Sequence, residues 1–168
     1  MNTDDATVVP AAAEGWTLVF VRDLRHPPAK VWNALTDPAL LDQWAPFAAA
    51  RNLAATGDTV LTMVDGDERT PVPATVQRAE EPALLEYNWG EDLLRWELTA
   101  LDDGTRLTLR HTFAKRETAP EYAAGWNICV GRLTLLLDGE PAGVVRGREA
   151  LAHGWADWRA AYEAKFAS

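Results

Sequence analysis

Few residues of this sequence could carry catalytic chemistry, and His111 is the strongest of them. It lies in a run in which Leu107, Leu109 and Phe113 alternate with polar residues, so strand parity places its imidazole on the buried face. A histidine there could orient a ligand or act as a general base. The alternative, which we favour, is a core histidine that is hydrogen-bonded to the backbone or to a tyrosine.

The other candidates for nucleophilic or metal chemistry are weaker. Cys129 falls on the apolar side of a predicted helix, where a cysteine usually packs as a small hydrophobic residue. Ser168 is the only serine, which excludes the serine hydrolases. His26 and His153 have no carboxylate or cysteine at metal-ligand spacing. We therefore assign no catalytic residue, no metal site and no cofactor, and an enzyme is the less favoured class.

Aromatic residues are more informative, because the chain contains eight tryptophans. Large rings fill protein cores, but rings with a few polar groups also line small-molecule cavities. The predicted ligand-binding set consists of Tyr87, Trp89, Trp96 and His111 from predicted strands and Trp126, Cys129, Val130 and Leu133 from a predicted helix. We expect the three tryptophans and the histidine of this set to touch the ligand.

The elements that position these residues begin with a strand and two short helices. Residues 1–14 are rich in Ala, Asp and Thr and predict a flexible N-terminus, and alternation over 16–24 predicts the first strand. Two short helices are expected between Pro28 and Pro46. From 51 to 114, alternating apolar and polar residues are separated by turns rich in Gly and Asp, which is typical of an antiparallel meander with one buried face.

A long helix follows the meander. Its apolar residues recur every three or four positions from Tyr122 to Leu137 and form a wide apolar stripe. A sheet with one apolar face must bury that face, and this helix is the only predicted element large enough to cover it. The predicted architecture is therefore α+β, with a curved antiparallel sheet of roughly six or seven strands around a long helix near the C-terminus.

A connector rich in glycine leads to a final helix at about 149–166. One of its faces carries Leu151, Trp155, Trp158, Tyr162 and Phe166. We favour packing of this stripe on its own domain, with a homodimer contact as the alternative, because soluble monomers avoid exposed apolar patches of this kind. No internal repeat and no second domain is indicated, so residues 15–168 are interpreted as a single domain.

Three segments carry a family resemblance. The first runs from Arg25 to Pro38 and continues with Leu40, Leu41 and Trp44; the second is 104–113; the third contains Gly125, Trp126, Leu133, Leu137 and Gly139. Over residues 16–139 the chain resembles the AHSA1-like family, proteins similar to the activator of Hsp90 ATPase within the START/Bet v 1-like (SRPBCC) superfamily. The resemblance implies the helix-grip fold with a cavity between sheet and helix. Superfamily members include lipid and hormone binders, aromatase/cyclases and chaperone regulators.

Composition and charge disfavour several classes of partner. Sixteen Lys and Arg against 25 Asp and Glu give a formal net charge of −9, which repels nucleic acid and anionic membrane surfaces. No apolar run is long enough to insert into a membrane. The single cysteine and the polar start of the chain lead us to expect a cytoplasmic protein.

Three functional hypotheses follow. The leading one is a module that binds a small apolar or aromatic molecule between the sheet and the long helix. The second, which rests on the resemblance, is a stress-related chaperone-regulatory or interaction protein with a chaperone as its partner. The third is a cyclase- or hydratase-like enzyme that uses His111 and a water molecule. A cavity above about 300 Å³ lined by aromatic residues would favour the first or third hypothesis, and a filled interior with an exposed apolar patch would favour the second.

Overall fold

The computed structural model describes residues 1–141 and 143–167. The strands in this part of the chain are β1 (Ala6–Pro10), β2 (Trp16–Leu24), β3 (Phe47–Ala49), β4 (Gly57–Asp65), β5 (Glu68–Glu80), β6 (Leu84–Trp89), β7 (Asp92–Leu101) and β8 (Gly104–Phe113). The α-helices are α1 (Pro28–Thr36), α2 (Pro38–Leu41), α3 (Ala119–Leu137) and α4 (Trp155–Phe166). Short 3₁₀ segments at Arg116–Thr118 and Gly147–His153 precede α3 and α4.

The strands form one antiparallel sheet in the order β1-β2-β8-β7-β6-β5-β4-β3. From β3 to β8 each strand pairs with the next one in sequence, and β8 then pairs with β2. Leu107, Leu109, His111 and Phe113 of β8 are buried, whereas Arg106 and Arg110 on its other face are exposed. This pattern confirms the predicted strand parity, and the α+β helix-grip architecture is confirmed with it.

The long helix α3 covers the apolar face of the sheet. Pro120 occupies its first turn, where the missing amide hydrogen costs nothing, and Glu121 lies at the positive end of the helix dipole. Thr118 precedes the helix, but its hydroxyl donates to the Lys115 carbonyl and therefore caps no helix amide. No helix in the described part of the chain is long and apolar enough to cross a membrane.

The short helices α1 and α2 close one end of the sheet. Asp37 caps α2 by accepting a hydrogen bond from the Ala39 amide at 2.8 Å. Trp32 and Trp44 are both buried, and the Trp44 indole N–H donates to the Ala34 carbonyl at 2.8 Å. These two tryptophans therefore attach the helices to the core, as large rings with a polar handle usually do.

The N-terminus differs from the expectation of a flexible segment over 1–14. Residues 6–10 form the edge strand β1, which pairs with β2 along its whole length. The Asp5 carboxylate pairs with Arg22 at 2.7 Å and accepts a hydrogen bond from the Tyr162 hydroxyl at 3.0 Å. The strand is too short to stand out by alternation, and of the residues that hold it, Tyr162 lies far away in the sequence. Propensity alone therefore could not find it.

The final helix also differs in its bounds from the expected 149–166. Gly154, with a φ of 83°, separates the 3₁₀ segment from α4, so Leu151 does not join the aromatic stripe and is 59% exposed. Tyr162 and Phe166 are buried, and the Asn127 amide of α3 donates to the Tyr162 hydroxyl at 2.9 Å. The stripe on α4 thus packs against α3 of the same chain.

Candidate functional site

Aromatic side chains fill the space between the sheet and α3. The Trp96 ring centroid lies 5.8 Å from that of Trp44 and 5.4 Å from that of Trp126. Trp89 continues the cluster, 5.9 Å from Trp126 and 5.3 Å from Phe47. The rings of each pair meet edge to face, the geometry that their quadrupoles favour. Most of the space in which the sequence predicts a cavity is therefore occupied by indole rings.

A polar chain of three side chains crosses this aromatic cluster. The indole N–H of Trp126 donates to Nδ1 of His111 at 2.9 Å, and Nε2 of His111 lies 2.7 Å from Oδ2 of Asp92. Since Nδ1 accepts a hydrogen bond, the single proton of neutral His111 is on Nε2 and is donated to Asp92. Both ring nitrogens are occupied.

The surroundings keep His111 neutral. Its side chain is fully buried, and this burial lowers its pKa below the ordinary value of 6.5, with Asp92 opposing the shift. Protonation of Nδ1 would also direct an N–H group at the indole N–H of Trp126. His111 is thus the core histidine that we favoured over a general base, although its partners are a carboxylate and an indole instead of the backbone or a tyrosine.

Tyr122 lies against the outer side of His111, with ring centroids 4.3 Å apart and ring planes inclined at 42°. It comes from the first turn of α3 and is half-buried. Burial raises the pKa of its hydroxyl, and the neighbouring Asp92 carboxylate raises it further. The hydroxyl therefore remains a neutral hydrogen-bond donor at physiological pH.

An apolar pocket of about 90 Å³ lies between the first turns of α3 and the aromatic cluster. Its lining residues are Pro46, Trp89, Glu121, Tyr122, Gly125, Trp126 and Cys129. Gly125 leaves part of this space open, because a Cβ added there would meet no atom within 4 Å.

A wider groove of about 370 Å³ adjoins the pocket, and Trp89 and Tyr122 line both. Its other lining residues are Met63, Val72, Gly90, Glu91 and Asp92. The Trp89 indole N–H points to the Met63 sulfur at 3.1 Å, which fixes the ring between the two spaces. We call the pocket and this groove together the aromatic site.

Two larger grooves, of about 430 and 400 Å³, lie beside residues 11–15, the first on the opposite face of the sheet and the second at its end, where Glu91 also lines the groove of the aromatic site. Their walls contain no tryptophan or tyrosine. The arginines of the larger groove are already paired, Arg95 with Glu97 at 3.2 Å and Arg110 with Glu97 at 2.8 Å. These grooves are larger than the pocket, but the aromatic site is chemically better suited to an apolar ligand.

The structure brings three of the eight predicted ligand-binding residues to the aromatic site: Trp89, Trp126 and Cys129. His111 lies directly behind them. The other four, Tyr87, Trp96, Val130 and Leu133, are buried deeper in the core, where the Trp96 indole donates to the Tyr87 hydroxyl at 3.1 Å.

Several residues of the site were not in the predicted set. Tyr122 could have been predicted, because it precedes Trp126 and Cys129 by four and seven residues and therefore lies on the same face of the helix. Asp92 and Glu91 follow a glycine in a predicted turn, where carboxylates are usually solvated, and Pro46 and Met63 come from distant parts of the chain. For these residues the sequence offered no signal.

Cys129 has the properties of a packing residue. Burial raises the pKa of its thiol to about 12, with Arg146 acting in the opposite direction. A thiol with this pKa is protonated at neutral pH and is a poor nucleophile. Within the described residues, no group of three or more His, Cys, Asp or Glu side chains could hold a metal ion.

The rim of the pocket is held by Arg146, which follows α3 in the chain. Its Nε donates to the Ala45 carbonyl at 2.8 Å and one Nη donates to the Phe47 carbonyl at 2.9 Å. The same Nη lies 3.4 Å from Oδ1 of Asp42, and the arginine side chain is only 10% exposed. These contacts fix the backbone on both sides of Pro46.

The chain matches the family model "Activator of Hsp90 ATPase homolog 1-like protein" over residues 25–138, which is more than half of its length. The chain belongs to this family. No curated protein matches it in sequence. The matched region of this AHSA1-like chain contains the whole aromatic site, whereas Arg146 lies beyond it.

Solved structures share the fold. EF2215 from Enterococcus faecalis, a conserved protein of unknown function, superposes with a TM-score of 0.74 at 16% identity, covering 98% of this chain and 91% of that one. CalU16 from Micromonospora echinospora gives 0.71 at 19% identity, covering 97% and 98%. DynU16, from the dynemicin biosynthetic locus, gives 0.65 at 24% identity, covering 86% and 52%. At these identities the similarity shows the helix-grip fold.

Proposed function

We propose that this protein binds a small apolar or aromatic molecule at the aromatic site. The observation that carries the proposal is the continuity of pocket and groove across the rings of Trp89 and Tyr122, which line both. The groove, at about 370 Å³, is within the usual range of roughly 300–1,000 Å³ for small-molecule sites. The pocket of about 90 Å³ has room for only one end of a ligand.

The side chains that line the pocket favour an apolar group as the end of the ligand that enters it. Three of its side chains are the aromatic rings of Trp89, Tyr122 and Trp126, and the indole N–H of each tryptophan is already bound within the protein. A pocket with such a wall gains little from holding water. Moving an apolar group into it from water contributes roughly 25 cal/mol per Å² of buried surface.

The same geometry disfavours the enzyme hypothesis based on His111. A general base needs a free nitrogen within hydrogen-bond reach of its substrate. Here Trp126 occupies Nδ1, and the Nε2 proton is directed at Asp92. The network positions the wall of the site and offers no base to a water molecule.

A chaperone-regulatory role would be favoured by a contiguous exposed apolar patch. Within the described residues the exposed large apolar side chains are Met1, Val9, Val60 and Leu151. They lie at the terminus, in β1, in β4 and in the 3₁₀ segment before α4. We therefore place the binding of a small molecule first.

The proposal is tested with two substitutions on one helix. Gly125 and Gly131 both belong to α3, and at both positions a Cβ would meet open space, but only Gly125 lines the pocket. We expect Gly125→Leu to weaken binding of the neutral probe 2-naphthylmethanol at least about tenfold in calorimetric titrations, a difference of roughly 1.4 kcal/mol. Gly131→Leu should bind as the unmodified protein does.

Native mass spectrometry of the protein purified from its own host provides a second measurement, through any small molecule that stays bound. Equal binding of the probe by both leucine variants would contradict the aromatic site. Absence of any saturable binding, together with a retained chaperone in the purified material, would favour the second hypothesis instead.

A further inference from the structure

We infer that the aromatic site selects ligands with a protonated amine beside an apolar ring and disfavours carboxylates of the same shape. This inference rests on the function proposed above and concerns the chemical class of the ligand.

The first observation is the sign of the charges around the site. Three carboxylates line it: Glu121 in the pocket, and Glu91 and Asp92 in the groove. The lining of both spaces includes no lysine and no arginine. Asp92 accepts a hydrogen bond from His111, but that histidine is neutral, so the pairing does not compensate the charge of the carboxylate.

Two arginines close to the site, Arg159 and Arg146, are engaged with other groups. Arg159 lies 3.7 Å from Glu121, but it is closer to Glu163, at 3.0 Å, and it stacks over the Trp155 ring. Arg146 lies behind Pro46 and is bound to backbone carbonyls and Asp42. The field at the mouth of the groove is therefore negative.

The second observation is the position of the aromatic faces. Trp89 and Tyr122 lie at the junction of pocket and groove, so a ligand whose ring enters the pocket places its polar end beside them. An ammonium group is attracted to such ring faces, whereas a carboxylate is not. The groove is open to solvent, and Glu91 is exposed, so an ammonium group there keeps most of its hydration.

The experiment uses three probes with one ring system: 2-naphthylmethylamine, 2-naphthylmethanol and 2-naphthylacetate. At pH 7 they carry a positive charge, no charge and a negative charge. In calorimetric titrations at low salt we expect the amine to bind about tenfold more tightly than the carboxylate, with the alcohol in between. The ratio should shrink at high salt, because ions screen exposed charges.

A pair of charge-neutralising variants locates the effect. Glu91→Gln removes a carboxylate of the groove and should lower the ratio of amine to carboxylate affinity about threefold. Glu81→Gln makes the same change in net charge at the turn before β6, at the other end of that strand, and should leave the ratio unaltered.

The outcomes separate this inference from the proposed function. If none of the three probes binds, the aromatic site is not a ligand site and both proposals fail. If the alcohol binds but the carboxylate binds as tightly as the amine, the proposed function stands and the charge selection is wrong. An equal effect of the two variants would also overturn the selection, because it would reflect only the net charge of the protein.

Discussion

Two buried hydrogen-bond networks lie on opposite sides of α3 and begin at consecutive residues of that helix. On the side of the sheet, Trp126 donates to His111, whose other nitrogen donates to Asp92. On the side of α4, Asn127 donates to Tyr162, whose hydroxyl donates to Asp5. We call them the sheet-side network and the α4-side network.

Both networks end on a carboxylate near the surface, but their surroundings differ. The Tyr162 ring stacks between Trp158 and Phe166, with centroids 6.0 and 5.7 Å away, and Arg22 neutralises Asp5. The sheet-side network instead borders the open pocket, and among the described residues no lysine or arginine forms an ion pair with Asp92. The same type of hydrogen-bond network therefore stabilises closely packed helices on one side of α3 and positions the wall of the pocket on the other.

The largest expected effect comes from removing α4 entirely. Truncation after Gly147 deletes Tyr162 and Phe166, which exposes the α4 side of α3 and leaves Asn127 without its partner. We expect this chain to lose cooperative thermal unfolding, as followed by circular dichroism. Leu151→Ser, a change at an exposed residue of the deleted segment, should leave the melting temperature unchanged. A folded truncated chain would show that the α4-side network is dispensable.

Two conservative substitutions compare the networks directly. Trp126→Phe leaves Nδ1 of His111 buried without a donor, and Tyr162→Phe leaves the Asn127 amide without an acceptor. Each should lower the free energy of unfolding by about 1–3 kcal/mol in urea titrations, the usual effect of orphaning a buried polar group. Only Trp126→Phe should also change the affinity for 2-naphthylmethanol. An equal effect of both on binding would remove the distinction between the two sides of α3.

We expect His111 of the sheet-side network to make the free energy of unfolding depend on pH. Burial lowers the pKa of folded His111 below 6.5, so between pH 6.5 and that lower value the unfolded chain binds more protons than the folded one. Stability therefore falls as the pH falls through this window, with a slope of at most about 1.4 kcal/mol per pH unit for one histidine.

Urea titrations at several pH values measure this slope. His111→Gln keeps an acceptor for Trp126 and a donor for Asp92 and should reduce the slope, whereas Tyr162→Phe should retain it. A slope that survives His111→Gln would assign the acid sensitivity to other groups.

The smallest expected effect concerns the two glycines of α3. Alanine at either position should stabilise the protein by about 0.5–1 kcal/mol, because glycine loses more backbone freedom in a helix and neither Cβ would meet a neighbour. Thermal melts would show similar shifts for Gly125→Ala and Gly131→Ala. A loss of stability in Gly125→Ala alone would mean that the pocket is smaller than the structure indicates.

The sequence predicted the features that depend on local periodicity, and it did not predict contacts between residues distant in the chain. Alternation placed His111 correctly on the buried face of β8, and helical spacing placed Trp126 and Cys129 correctly on one face of α3, because both periodicities are local. The pairing of His111 with Asp92 joins residues 19 positions apart across two strands, and a turn carboxylate gives no sign of such a partner.

The size of the cavity could not be predicted from sequence patterns either. Periodicity identifies which side chains point inward, but it does not show whether opposing rings meet. Here Trp96 and Trp126 meet edge to face and close the centre of the expected cavity, while Gly125 leaves its edge open. Packing across elements decides this, and it depends on side-chain volumes from several parts of the chain at once.

Arg146 positions the loop that forms one side of the pocket, although it lies outside the segment that identifies the family. It binds carbonyls that lie about a hundred residues earlier in the chain, yet it stands outside the segment that matches the family model. A substitution of Arg146 would therefore release the carbonyls of Ala45 and Phe47 and let the loop that carries Pro46 shift. Two proteins with the same core could therefore bind different molecules if they differ at the position of Arg146. Such a difference in ligand preference would not be visible in the segment that matches the family model.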